Sequence, residues 1–124
     1  MLGDLSHVEK IYIRCGLYTD MRKQLNGLLD IIQYNFKLDP YSNSLFLFCG
    51  KRADRIKAVH YEGDGFYLLY KRYENGRLQW PRTGEEAKQI SDQQLRWLLE
   101  GLNPEQPKAV QKWLPHKSEN TENP

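Results

Sequence analysis

A run of five consecutive apolar residues, Leu45 to Cys49, limits the folds open to this chain more than any other feature. A short apolar run without a helical or alternating period is typical of a β-strand that is buried on both faces. Turn-forming residues, Asp39-Pro40-Tyr41-Ser42-Asn43, stand shortly before the run and end any preceding helix. The pattern therefore predicts a buried strand that follows a turn.

An amphipathic helix is predicted ahead of this turn. Apolar side chains recur with a 3.6-residue period and form one stripe, whereas polar residues lie off it. The stripe consists of Met21, Leu25, Leu28, Leu29, Ile32 and Phe36. Thr19 or Asp20 can cap the first turn. We expect a helix from about Asp20 to Phe36 that packs on the sheet.

Alternating and β-branched segments predict the other strands. They are Val8–Arg14, Ile56–Tyr61, Phe66–Tyr73, Arg77–Trp80 and Ala87–Ile90. Two hairpins are predicted, one across residues 62–65 and one across Asn75-Gly76, the strongest short hairpin signal in the chain. Ser91-Asp92-Gln93-Gln94 has the pattern of a capping box, which opens a second, short helix.

These elements predict an α+β fold. We expect a small antiparallel sheet of about five strands, with one long amphipathic helix packed on it and a short C-terminal helix. A chain of 124 residues is one ordinary domain, which we assign to residues 1–102. Residues 103–124 contain four prolines and few large apolar side chains, so we predict a polar, flexible tail there.

The predicted hairpin register sorts the strand residues onto two faces. On the mostly apolar face, Ile56, Ala58 and His60 lie opposite Tyr67, Leu69, Lys71 and Tyr73. We assign this face to the core beneath the long helix. The reverse face is cationic at one end and should face solvent. Residues 51–82 hold eight Lys and Arg against four Asp and Glu, although the net charge of the whole chain is only +2.

This cationic face is a candidate surface for DNA, because Lys and Arg neutralise backbone phosphates. The candidate DNA-binding residues on this face are Arg55, Lys57, Arg72 and Arg77. Arg22 and Lys23 would assist them, and Arg52 and Lys71 complete the candidate set. The alternative is an ordinary solvated sheet face, on which Lys and Arg discourage edge-to-edge aggregation.

A second candidate surface is aromatic and would bind a protein partner, since exposed aromatic side chains are common anchors of interfaces. The candidate partner-binding residues are Tyr61, Phe66, Tyr70 and Trp113. The first three belong to the predicted hairpin, and Trp113 belongs to the predicted tail. We leave open which of them meets a partner.

Motifs for catalysis or for a bound cofactor are missing from the sequence. His7, His60 and His116 are scattered without the spacing of a zinc site, and Cys15 and Cys49 form no CxxC pair. We therefore expect no enzyme activity, no metal and no cofactor. Two cysteines without a disulfide framework favour a reducing compartment, so we expect a cytoplasmic protein, with no secretory signal and no membrane span visible.

Several ordered motifs resemble a known family. They are Thr19-Asp20-Met21-Arg22-Lys23, Asn26-Gly27-Leu28, Leu38-Asp39-Pro40-Tyr41-Ser42, Leu45-Phe46-Leu47-Phe48, Asp54-Arg55-Ile56-Lys57, Gly63-Asp64-Gly65-Phe66, Tyr70-Lys71-Arg72, Gly76-Arg77 and Trp80-Pro81. Over about residues 8–102 the chain resembles the TnpB family. These are small accessory proteins that the second open reading frame of bacterial insertion sequence 66 elements encodes. Asn43 and Tyr61 depart mildly from the family pattern.

The resemblance implies a non-catalytic accessory protein of DNA transposition. Such a protein works alongside a separate, larger transposase, which carries the acidic catalytic triad. The implied partners are the transposase of the same element and DNA at the element ends, with no membrane partner. Three mechanisms stay open: DNA binding by the cationic face, organisation of the transposase without DNA contact, and, as a weaker alternative, a metal-dependent nuclease that uses Asp20, Asp54 or Asp64.

Overall fold

The computed structural model describes residues 5–106, which form a five-stranded mixed sheet with helices on both faces. Along the chain the elements are β1 (Lys10–Arg14), α1 (Leu25–Asp30), a π-helical segment (Ile31–Asn35), β2 (Ser44–Cys49), β3 (Arg55–Tyr61), β4 (Phe66–Arg72), β5 (Ala87–Ile90) and α2 (Asp92–Leu99). The strand order is β4-β3-β2-β1-β5. None of the helices within residues 5–106 has the length and apolar character that crossing a bilayer requires.

One pair of strands in the sheet is parallel, so the prediction of an antiparallel sheet is wrong at this point. β1 runs parallel to β2, with Ile11 opposite Leu45 and Ile13 opposite Leu47. The chain passes from β1 through α1 before it enters β2, and such a helical crossover returns the chain to the end from which it started. The other pairs, β1–β5, β2–β3 and β3–β4, are antiparallel.

β2 lies at the centre of the sheet and is buried along its whole length, which confirms the prediction of a strand covered on both faces. Phe46 and Phe48 point to the side that carries α1, together with Val59. Leu45 and Leu47 point to the opposite side, on which α2 packs through Leu95, Leu98 and their neighbours. We call these the α1 side and the α2 side of the sheet.

The β3–β4 hairpin has the predicted register, with Ala58 opposite Leu69 and His60 opposite Tyr67. The prediction that the Ile56 and Ala58 face lies beneath the long helix is wrong. Both residues belong to the core on the α2 side, and α1 instead packs over Val59 and its neighbours. Period-two alternation separates the two faces but carries no information about which helix covers each of them.

The second predicted hairpin is wrong, because residues 77–80 form no strand. Gly76 has a positive φ of 77°, so the turn itself is present. Beyond it the chain leaves β4: the Leu78 amide donates to the Ala53 carbonyl at 2.8 Å, and the Trp80 indole donates to the Arg14 carbonyl at 2.7 Å. Burial of Leu78 and Trp80 on the α2 side outweighs the local hairpin preference.

The first helix is shorter than predicted. α1 begins at Leu25, and helical structure continues for eleven residues through the π-helical segment. Asp20 starts a turn instead of a helix, since its carboxylate accepts a hydrogen bond from the Arg22 amide and its carbonyl accepts one from the Lys23 amide. The helix predicted from about Asp20 to Phe36 is therefore too long, chiefly at its N-terminal end.

The predicted C-terminal helix and its capping box are confirmed. Ser91 Oγ accepts a hydrogen bond from the Gln94 amide at 3.1 Å, and Gln94 Oε1 accepts one from the Ser91 amide at 2.9 Å. The first four residues of the predicted tail are described: Pro104 is buried, and Lys88 Nζ lies 2.6 Å from Glu105 Oε2. The rest of the predicted tail, with Trp113, lies outside the described residues.

Candidate nucleic-acid interface

A groove of about 810 Å³ opens where the β1–α1 connection meets the β2–β3 connection. We call it the basic groove. Its lining residues are Arg14, Leu17, Tyr18, Thr19, Asp20, Met21, Arg22, Lys23, Gly50, Lys51, Arg52, Asp54, Arg55 and Tyr70. The first eight precede α1, the next five surround the turn between β2 and β3, and Tyr70 comes from β4.

Two close contacts hold the two walls of the basic groove together. The Thr19 amide donates to the Cys49 carbonyl at 2.9 Å. Gly50 packs so closely on Met21 that a Cβ atom at this glycine would lie 2.9 Å from Met21 Cγ. Because β1 and β2 are parallel, their C-terminal ends lie side by side, and the basic groove forms at these ends.

Six basic side chains line the basic groove against two carboxylates. Both carboxylates have a basic neighbour: Arg22 Nη2 lies 2.7 Å from Asp20 Oδ2, and Arg55 Nε lies 3.8 Å from Asp54 Oδ1. Hydrogen bonds from Arg22 hold the pKa of Asp20 well below its usual range, so this carboxyl stays ionised. The net charge of the lining is therefore strongly positive.

Three of these cations form no salt bridge within residues 5–106: Lys23, Lys51 and Arg52. All three side chains are exposed to solvent. Lys51 Nζ lies 5.6 Å from the centroid of the Tyr18 ring, in the range of a cation–π contact. Unpaired, exposed cations beside an aromatic ring are suited to an anionic ligand with planar groups.

An unsatisfied donor lies in the same place. Arg55 Nε is buried and has no hydrogen-bond acceptor among the residues that the structure describes. The distance of 3.8 Å to Asp54 Oδ1 is too long for a hydrogen bond. A buried N–H group without an acceptor is costly, and an oxygen atom of a bound anion would satisfy it.

The structure brings together some of the predicted DNA-binding residues and separates others. Arg22, Lys23, Arg52 and Arg55 line the basic groove. Arg72 lies next to them, directly opposite Arg55 on the α1 side, with its Nε 3.1 Å from Glu74 Oε2.

Lys57 is not on an open face, and the prediction that it faces solvent is wrong. Its side chain is buried beneath the segment that precedes α1, and its ammonium group donates to the Lys23 carbonyl at 2.6 Å. Lys71 and Arg77 lie on the α2 side. Lys71 is opposite Ile56 and covers the Tyr73 ring, and the Arg77 carbonyl lies near Gly101.

Three residues of the basic groove are absent from the predicted DNA-binding set: Arg14, Tyr18 and Lys51. Lys51 adjoins Arg52, so its position in the polar connector was the available signal. No local pattern singles out Arg14, whose carbonyl and side chain are turned into the fold. Asp20, Asp54 and Asp64 do not form a three-residue metal cluster within residues 5–106.

The predicted aromatic surface is divided in the structure. Tyr61 and Phe66 are in contact, with ring centroids 5.0 Å apart, and Tyr41 joins them at 5.1 Å and 5.3 Å. We call these three residues the aromatic cluster. Tyr70 lies elsewhere, in the basic groove, where Lys57 Nζ is 5.7 Å from its ring. Tyr41 was not predicted, although the Pro40-Tyr41-Ser42 turn was.

The chain is similar to one protein family and to two uncharacterized bacterial proteins. The family model described as "IS66 Orf2 like protein" matches residues 9–109. "Uncharacterized protein y4hO" of Sinorhizobium fredii is 34% identical over 108 residues, which are 87% of this chain and 91% of that protein. "Uncharacterized protein y4jC" of the same organism is 31% identical over 84 residues, or 68% and 72% of the two chains. No solved structure matches the chain.

The family match confirms the resemblance drawn from the sequence motifs. It covers the basic groove, the aromatic cluster and all the strands and helices described above. The chain belongs to the IS66 Orf2-like protein family.

Proposed function

We propose that this protein assists the transposition of its insertion sequence by binding DNA in the basic groove, without catalysing a reaction itself. The IS66 Orf2-like family is one of transposition accessory proteins. The DNA-binding step rests on the composition of the basic groove. Lys23, Lys51 and Arg52 are exposed there and form no salt bridge, and Arg55 Nε is a buried donor without a hydrogen-bond acceptor among the residues that the structure describes. Phosphate oxygens of a nucleic-acid backbone match both features.

The chemistry of the groove favours backbone contacts over base recognition. Lys51 and Arg52 lie on a short connection between two strands, and Lys23 lies on the segment before α1. None of these three cations lies within a helix or a strand, the elements that read base edges in a major groove. The proposed binding is therefore dominated by electrostatic contacts and weakens steeply with salt. Because the DNA of a bacterial insertion sequence lies in the cytoplasm, this function requires a cytoplasmic protein.

A salt titration of DNA binding tests this function. Fluorescence anisotropy of a labelled duplex from an element end, and of an unrelated duplex of equal length, is measured at increasing NaCl concentration. The Lys51→Ala/Arg52→Ala double variant should weaken binding and reduce the slope of log K against log salt by about 2, one phosphate contact per cation. A loss shared by both duplexes indicates backbone contacts.

The matched control is the Lys71→Ala/Arg77→Ala double variant, which loses the same charge on the α2 side of the sheet. It should bind as the natural protein does, apart from a small change due to net charge. Equal losses for the two double variants would show that only net charge matters, and salt-independent binding would exclude the basic groove as the DNA site. Either result contradicts the proposal.

A second candidate function is docking of the transposase on the aromatic cluster. Tyr41 is 61% exposed although its ring contacts both Tyr61 and Phe66, and exposed aromatic anchors are typical of protein interfaces. Co-purification with the transposase should be lost in Tyr41→Ala and retained in Tyr34→Ala. Tyr34 is equally exposed at 63% but lies outside the cluster. Equal retention by both variants would reject this surface.

A further inference from the structure

Two histidines and a glutamate meet at the end of β3. His7 comes from the segment before β1, His60 from β3 and Glu62 from the turn that follows it. Their potential ligand atoms all lie within 4.8 Å of one another, and His60 Nδ1 is 3.8 Å from Glu62 Oε2. The three residues line a cavity of about 510 Å³. This cavity is at the opposite end of β3 from Arg55 and the basic groove.

Asn43 holds both histidines in place. Its Nδ2 donates to the His7 carbonyl, and its Oδ1 lies 3.0 Å from His60 Nε2. Because the Nδ2 donor group already serves His7, the Oδ1 atom is the acceptor and His60 Nε2 is the donor in this contact. The neutral His60 ring then has its lone pair on Nδ1, the atom that faces Glu62.

This arrangement is the usual surrounding of a metal-binding histidine. One ring nitrogen of such a histidine binds the ion, while the other donates to an oxygen acceptor that fixes the ring. His60 is also buried, so its ring is held by packing, whereas His7 and Glu62 are exposed and can turn towards an ion. Two imidazoles and one carboxylate are a ligand set that zinc accepts.

We propose that His7, His60 and Glu62 form a binding site for Zn²⁺. Tetrahedral bonds to zinc place the ligand atoms about 3.3 Å apart, so rotations of the exposed His7 and Glu62 side chains are enough to close the site. Three protein ligands leave one tetrahedral position for water or for a group from a partner. Bound zinc would join the N-terminal segment to the β3–β4 hairpin, beside the aromatic cluster.

Zinc titration of the full chain, without a histidine tag and freed of metal by EDTA followed by dialysis, tests the site. Isothermal titration calorimetry should show one zinc ion per chain. His7→Gln and Glu62→Gln should each weaken zinc binding at least tenfold, and Asn43→Ala should weaken it by about tenfold through loss of the ring position. Magnesium should not compete, because imidazole is a poor ligand for it.

Asp64→Asn is the matched control for Glu62→Gln. It removes a carboxylate from the same turn but from outside the cluster, so its zinc affinity should equal that of the natural protein. Circular dichroism verifies that each variant is folded. In a second measurement on the unsubstituted chain, long-range ¹H–¹⁵N spectra should show the His7 and His60 rings shifting together on zinc addition.

Absence of saturable zinc binding overturns the proposal. So does unchanged affinity in both His7→Gln and Glu62→Gln, or zinc addition that leaves the His7 and His60 resonances in place. In each of these cases His7, His60 and Glu62 are neighbouring side chains that do not bind zinc. The outcome is independent of DNA binding, because the basic groove shares no residue with the zinc site.

Discussion

The ammonium group of Lys57 is bonded to the backbone carbonyl oxygen of Lys23, at 2.6 Å. Lys57 is buried in β3, and Lys23 lies in the segment that forms one wall of the basic groove. Lys57, which the sequence predicted to bind DNA, therefore has a hydrogen-bond partner inside the protein. Its hydrogen bond attaches the segment before α1 to the sheet. Lys57 therefore stabilises the wall that carries Lys23 but does not itself line the basic groove.

Lys57→Met should separate stability from DNA binding. The substitution keeps the length of the side chain but removes the donor to the Lys23 carbonyl, so the free energy of unfolding should fall by about 1 kcal/mol. The slope of log K against log salt should not change, since no phosphate contact is lost. Urea unfolding and DNA anisotropy measure the two effects.

Lys51→Met is the control for this pair of measurements and should give the opposite pattern. Lys51 is exposed, so its substitution should change stability by no more than about 0.5 kcal/mol. The salt slope should fall by about 1. If Lys57→Met lowered the slope and left stability intact, Lys57 would be a DNA ligand and its internal role would be wrong.

Glu86→Gln should destabilise the fold at the junction of β1 and β5. Arg14 is buried, and its Nε and Nη2 atoms donate to Glu86 Oε2 at 3.1 Å and 2.9 Å. Without the carboxylate, the buried guanidinium loses its counter-charge, and the free energy of unfolding should fall by about 2 kcal/mol. Glu85→Gln removes an exposed neighbour and should cost less than about 0.5 kcal/mol in the same urea titration. Equal losses of unfolding free energy in the two variants would show that the ion pair between Arg14 and Glu86 does not stabilise the fold.

Trp80→Phe should cost about 3 kcal/mol of stability. Trp80 is buried on the α2 side, and its indole N–H donates to the Arg14 carbonyl at 2.7 Å. Phenylalanine loses this hydrogen bond, leaves the carbonyl without its donor and creates a cavity. Thermal unfolding provides the measurement. Trp97→Phe, at a half-buried position of α2, should lower the midpoint much less, and a similar shift for both would argue against a special role for the Trp80 bond.

Cys49 should make the protein less stable at alkaline pH. Burial raises the pKa of its thiol to about 11 from an ordinary 9.0, and the nearby Arg82 offsets only part of that effect. The unfolded thiol ionises first, so the stability that the protonated thiol provides below pH 9 is lost as pH rises from 9 towards 11.

Cys49→Ala removes this contribution, and the comparison tests it. Between pH 8 and pH 10 the natural protein should lose about 1 kcal/mol more unfolding free energy than Cys49→Ala, as measured by urea titration. Native Cys49 should also react with a thiol reagent at pH 8 much more slowly than the unfolded chain does. Parallel pH profiles for the two proteins would assign the alkaline loss to other groups.

Local patterns predicted the features that depend on neighbouring residues. The unbroken run at β2 predicted a strand buried on both faces, because no polar side chain needed an exposed face. The turn at residues 62–65, with the alternating strands on either side of it, predicted the β3–β4 register, because turn length fixes the register and a period of two then fixes the faces. Ser91 and Gln94 predicted the start of α2 because a capping box is formed within four residues. Ordered motifs predicted the family.

Long-range packing decided the rest. The parallel β1–β2 pairing follows from the path of the chain through α1, and the loss of the strand at residues 77–80 follows from burial of Trp80 against a strand 66 residues away. Arg55 and Lys57 lie on the same face of β3, yet the segment before α1 covers Lys57 and leaves Arg55 in the basic groove. Sequence alone determined which residues share a face. Tertiary structure decided what covers each face and which cations stay free, because that depends on elements far apart along the chain.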